Sequence, residues 1–215
     1  MRRPARWATT AATAMAAALL GSSLACAPGP QEQAEPVQGD RLLQPSKVLS
    51  AQPAAVGEAF GFGLVTLDVL GAGAIRLRGI EAVGDAAVEQ LGVRLVLPGR
   101  TYASVDRTPW PPLDPDIDPE LIVPAVDAEL RSGATAGYEL LIGLRPAKPG
   151  KHLVAGFLVT YDELDADGEA TRTRVQFMPT GLGLCVGEQQ PRTCDALPAW
   201  QDAPGTWREY RAYVS

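Results

Sequence analysis

Histidine, methionine and aromatic side chains are scarce in this sequence, and each scarcity removes a class of chemistry. A single histidine, His152, serves the whole chain of 215 residues, and Met178 is the one methionine beyond residue 25. Exported copper carriers cluster His and Met, so copper transport is excluded, and zinc runs short of ligands once two of the three cysteines pair. No G-x-S-x-G, H-E-x-x-H, S-x-x-K or phosphate-cradling glycine loop occurs. A Ser/His/Asp triad would have to be built on His152. Carboxylate pairs of the glycosidase kind can be drawn from the 25 acidic residues, which keeps a small envelope hydrolase as an alternative. The reading preferred is a protein that is not an enzyme and carries no cofactor.

Long apolar runs are also lacking. The Ala- and Leu-rich stretch from Trp7 to Leu20 is too short for a membrane span. Preceded by Arg2, Arg3 and Arg6, it reads as the apolar core of a signal peptide over residues 1–25. Losing that basic segment takes the formal net charge from −6 to −9. An acidic chain repels phosphate backbones, so a nucleic-acid partner is excluded.

The segment ends Gly21-Ser22-Ser23-Leu24-Ala25-Cys26, which resembles the box of small and apolar residues that precedes the lipidated cysteine of bacterial lipoproteins. Ser23 stands where that family favours leucine, and Ser23-x-Ala25 also suits ordinary signal peptidase. The resemblance implies a lipid on Cys26, a membrane anchor, and a location facing the periplasm or the cell exterior. Cysteine arithmetic agrees. Cys26, Cys185 and Cys194 are an odd set for an exported chain, and lipid on Cys26 leaves Cys185 and Cys194 free to pair. Residues 26–47 are polar and punctuated by proline, as expected of a disordered tether. About 20 such residues reach roughly 25 Å as a coil.

What remains, residues 48–215, is rich in strand and turn signals. Gly and Pro number 22 and 19, and long helical patterns are absent. Strands are expected at Phe60–Leu70, Ala74–Ile80, Val93–Leu97, Tyr138–Pro146, Lys151–Tyr161 and Arg172–Phe177. In the second of these, Ile75, Leu77 and Gly79 should face the core, with Arg76 and Arg78 in water. The strand after Lys151 is apolar on both faces and should lie centrally, between a second sheet and some further cover. One or two helical turns are expected at Asp85–Leu91, with Asp85 as N-cap. The tail Thr206–Val214 is β-prone, an edge strand in prospect.

About seven strands joined by Gly/Pro turns make an all-β sandwich. The feature order resembles an immunoglobulin-like Greek-key domain, with a Pro-rich loop and a disulfide-pinned C-terminal extension. Pro149-Gly150-Lys151-His152 resembles that family's Gly-x-Tyr approach to the penultimate strand, His152 holding the place of the corner tyrosine.

Two features invite a ligand. Trp110 lies among prolines in residues 106–124, where it is either a stacking platform or a lid packed on the sandwich. Asp165, Asp167 and Glu169, in D-A-D-G-E, offer calcium ligands of EF-hand type. With Glu163 first in such a loop, Arg174 falls at the twelfth position, where a bidentate glutamate belongs, so a solvated hairpin tip is the preferred reading and no metal is assigned. The whole is a non-catalytic, lipid-anchored extracytoplasmic module that supports or binds another cell-envelope protein. An extracytoplasmic carrier of a ligand or cation is the alternative.

Overall fold

The computed structural model describes residues 38–97, 108–112, 119–134, 137–189, 194 and 202–214. Eleven strands and one α-helix are found there: β1 (Val48–Ala55), β2 (Phe60–Leu67), β3 (Ala74–Gly84), β4 (Val88–Val96), β5 (Thr108–Pro109), β6 (Ile122–Pro124), β7 (Glu129–Arg131), β8 (Tyr138–Pro146), β9 (Gly150–Leu164), β10 (Ala170–Met178), β11 (Thr180–Gly187) and α1 (Trp207–Val214). The predicted all-β, two-sheet class is borne out.

One sheet runs β1-β11-β9-β3-β7, with β10 also beside β9; the other runs β5-β2-β8-β4-β6. Phe62 of the second sheet stacks on Phe157 of the first, ring centroids 6.0 Å apart, at the centre of the shared core. Strand β9 organises the first sheet. Its 15 residues pair with β3 on one side, and on the other with β11 near its start and β10 near its end. β10 and β11 are one ribbon with a bulge between them. From Met178 to Leu182 the ribbon advances four residues while β9 advances three, from Phe157 to Val154. Gly156 lies under that bulge, where a Cβ would come within 2.4 Å of the Met178 carbonyl.

A second bulge shifts the phase of β3. Ile75 and Leu77 are fully buried, as their alternation predicts, but the register slips between Leu77 and Gly79. Ile80, not Gly79, then turns inward, and Arg78 becomes the extra residue. The expected helical turns at Asp85–Leu91 are instead a tight turn leading into β4. Val88 N–H returns to the Asp85 carbonyl, and the Asp85 carboxylate accepts from Ala87 N–H. Asp85 thus closes a turn between strands.

The tail is a correction too. Residues Trp207–Val214 are helical. Thr206 Oγ1 accepts from Glu209 N–H while the Glu209 carboxylate accepts from Gly205 N–H, a capping-box arrangement. Tyr210 then stacks on Phe177 at 5.1 Å. The helix therefore covers β10, the partner of β9, through Phe177.

Residues 38–47, assigned to the tether by composition, lie on the sandwich. Leu42 is 2% exposed, and Gln176, equally buried, clasps its backbone by accepting from Leu42 N–H and donating to Leu42 C=O. Arg41 N–H donates to the Tyr161 hydroxyl, and its guanidinium to the Leu70 and Ala72 carbonyls. One buried leucine and a set of long-range backbone partners hold a strap whose composition is that of a linker. The signal peptide, Cys26 and residues 26–37 of the tether lie outside the described residues. Among the described residues no helix is long and apolar enough to cross a membrane.

Candidate functional site

The sharp β9–β10 turn builds one wall of a cleft of about 680 Å³. Gly168 takes φ +82°, which glycine adopts without steric cost, and its N–H returns to the Asp165 carbonyl. Asp165 Oδ1 accepts from the N–H groups of Asp167 and Glu169, each at 2.9 Å. D-A-D-G-E is thus a hairpin turn tied by its first aspartate. Asp165, Asp167 and Glu169 all line the cleft, as does Arg76, whose Nη2 donates to the Gly168 carbonyl at 3.1 Å. Across from them β7 brings Arg131, 76% exposed at its side chain and paired with Glu129 at 2.7 Å. Among the described residues no group of three or more His, Cys, Asp or Glu side chains converges to hold a metal ion.

Behind the cleft lies a cluster that sequence reading missed. Arg78, pushed out by the β3 bulge, donates to Asp162 at 2.6 Å and Asp127 at 2.5 Å. Thr173 Oγ1 donates to the other Asp162 oxygen at 2.6 Å. Burial pushes the Asp162 carboxyl up, but the Thr173 hydroxyl and the Arg78 guanidinium outweigh it and hold the group below its ordinary range. The two carboxylates hold Arg78 above its ordinary value. The signal available was the Arg76/Arg78 alternation, which reads as a solvated face until the bulge is known.

The lone histidine belongs elsewhere. His152 lies near the start of β9, and twelve residue steps separate it from Leu164, roughly 40 Å along the strand. Ser132, on the cleft wall, therefore has no histidine within reach. His152 is 9% exposed. Its Nε2 donates to the Lys148 carbonyl at 2.9 Å, and its Nδ1 meets the Asp85 carboxylate at 2.7 Å. A carbonyl only accepts, so the Nε2 contact is a donation from the ring. The His152 bond is the largest cause holding the Asp85 carboxyl below its ordinary range, with the Ala87 N–H second. His152 thus has one carbonyl and one carboxylate partner.

Trp110 lies on the outer face of the second sheet. Gly61 and Gly92 both pair with Gly143, so three adjacent strands place glycines in one row. The indole covers that row, with a Cβ at Gly143 coming 2.2 Å from Cε2 and one at Gly92 3.4 Å from Cζ2. Val96 and Leu141, both buried, form a small second core with Trp110, Leu121 and Ile122 around it. Of the two sequence readings, this is a lid packed on the sandwich. Cys185 and Cys194 are joined, as expected, with Cα atoms 5.2 Å apart.

The cleft joins both signs of charge at the open end of one sheet. It offers hydrogen bonds to a polar ligand, but no pairing of nucleophile with base among its described residues. No protein-family profile matches the chain, and no curated protein matches it.

Proposed function

We propose that the chain is a non-catalytic, lipid-anchored extracytoplasmic module that supports or binds another component of the cell envelope. The observation that carries this is the Cys185–Cys194 disulfide, which is compatible with an oxidising compartment. It also accounts for two of three cysteines, leaving Cys26, beside the lipoprotein-like box, as the odd one.

An immunoglobulin-like Greek key is the finer fold reading. β2, β8 and β4 would be strands B, E and D; β1, the β10–β11 ribbon, β9 and β3 would be A′, G, F and C. Three features support it. β1 runs parallel to β11 at the sheet edge. Phe62 and Phe157 stack where antibody-type domains join strands B and F by a disulfide. His152, near the start of β9, bonds back to the carbonyl four residues upstream, the role of the corner tyrosine.

The test is the mass of the first peptide from the membrane fraction. A diacylglyceryl adduct on Cys26, lost together with membrane retention in Cys26→Ala, is the expected result; an unmodified Cys26 in a soluble exported protein ends the anchored reading. A carrier of a polar ligand is the second reading, favoured by the cleft between the hairpin tip and Arg131.

A further inference from the structure

From Cys26 to Gln38 the chain takes twelve residue steps, a span of at most about 40 Å even fully extended. With lipid on Cys26, the part of the domain at Gln38 is held within that distance of the bilayer. Gln38 itself lines a groove of about 470 Å³ between the strap and the start of α1, floored by Leu42 and walled by Leu43, Leu70 and Trp207. Leu43 is 48% exposed and Leu70 40%, although strap and β2–β3 connection pair through the Leu42–Val69 bridge. That bridge turns Leu42 and Val69 inward, so Leu43 and Leu70 point away from the core.

Two more exposed apolar side chains lie beyond the groove, at the start of β1 and on α1. Val48, 44% exposed, follows Lys47, whose ammonium bonds the Ala203 carbonyl on the approach to α1. Tyr213, 50% exposed, is on α1. Two of the six exposed large apolar residues among those described, Leu43 and Leu70, thus line the groove where the tether arrives. Tryptophan suits the headgroup level of a bilayer and leucine the acyl boundary below it, and the groove presents Trp207 with Leu43 and Leu70.

We infer that this strap–helix groove is the membrane-facing surface of the domain, its apolar rim resting in the bilayer interface beside the anchor. The inference rests on the lipid-anchored reading. A chain of net charge −9 gains nothing from anionic lipid, so the contact is made by apolar side chains and needs no charged headgroup.

The test uses the mature acylated protein in phosphatidylcholine vesicles with brominated acyl chains. Trp110→Phe with Trp200→Phe leaves Trp207 as reporter; Trp200→Phe with Trp207→Phe leaves Trp110, on the other sheet. Quenching of Trp207 at least twofold stronger than that of Trp110 is expected, and Leu43→Asp with Leu70→Asp should abolish the difference while the acyl mass persists. Acylated protein in which both tryptophans are quenched alike overturns the orientation alone. An unacylated Cys26 removes the anchor and the inference with it. Trp207 more shielded from acrylamide in vesicles than in dilute detergent, yet untouched by bromolipid, would place a second copy of the chain on the groove and overturn the bilayer assignment.

Discussion

The face of the Trp110 indole occupies the space that a side chain at Gly143 would need: a Cβ there would stand 2.2 Å from Cε2 and 2.4 Å from Cδ2. Gly143 to alanine is therefore an overpacking change on a sheet whose register fixes the clash, because Gly61 and Gly92 flank Gly143 on both neighbouring strands. The indole must lift, uncovering Val96 and Leu141. A loss of about 1–3 kcal/mol is expected in urea titration, with a red shift of tryptophan emission. A Gly143→Ala protein with unchanged stability and emission would show that the indole does not depend on this seat.

The glycines that make this slot are individually visible in the sequence, but their alignment is not. Gly61, Gly92 and Gly143 come from strands far apart in the chain, and only pairing brings them into one row. Elsewhere local pattern was enough. The alternation in β3 specified a strand and the burial of Ile75 and Leu77, the two-faced apolarity of β9 specified a central strand, and Cys185 and Cys194 were pairable by count. What failed has identifiable causes. Thr206-Trp207-Arg208-Glu209 carries a capping signal, and the aromatic residues beside it outweighed that signal in a propensity reading. Residues 38–47 read as linker because one leucine and backbone hydrogen bonds hold them, and composition records neither partner. The cleft was half legible: Asp165, Asp167 and Glu169 were visible as a cluster, while Arg76 and Arg131 join them through strand pairing.

The Cys185–Cys194 bridge closes a short loop, so its removal returns limited freedom to the unfolded chain. Loop-closure entropy for about ten residues predicts a loss of about 2–3 kcal/mol for Cys185→Ser with Cys194→Ser. At 2–4 °C per kcal/mol, the midpoint should fall by about 5–10 °C. Cys185 is 7% exposed in β11, beside Pro53 of β1, so the polar serine hydroxyl adds to the cost there. A melting temperature within 2 °C of the parent, by the scale just given, would show that the bridge constrains nothing the rest of the fold does not.

Two carboxylates contribute to the acid dependence of stability. Asp162 and Asp85 both titrate below their ordinary value of 3.8 in the folded protein. A lowered folded value means that each contributes stability above the unfolded range, and that the contribution is lost as pH falls through the folded value. Asp85 is 41% exposed at its side chain, so solvent screening keeps its share under about 1 kcal/mol. Asp162, 7% exposed at its side chain and bonded by Thr173 and Arg78, carries the larger part. Asp162→Asn should cost about 1–3 kcal/mol at pH 7 and flatten the decline in stability between about pH 5 and pH 2. Parallel pH profiles for the Asp162→Asn and parent proteins would remove Asp162 from this role.

Calcium distinguishes the two readings of the hairpin tip. Asp165 Oδ1 already accepts two backbone N–H bonds, and these define the turn between β9 and β10. A cation drawing on that oxygen would compete with the turn itself. Arg76 donates to the Gly168 carbonyl, placing a positive charge against the same loop. Both arguments oppose a calcium site. Mass action sets the scale: ligand at 100 times its dissociation constant stabilises by about 2.7 kcal/mol. For a domain of this size each kcal/mol moves the midpoint by about 2–4 °C. Millimolar calcium is expected to shift it by no more than about 1 °C, which corresponds to less than about 0.5 kcal/mol of linkage. A reproducible rise of about 5 °C on that scale, abolished by Asp165→Asn with Asp167→Asn, would make the tip a cation site and favour the carrier reading.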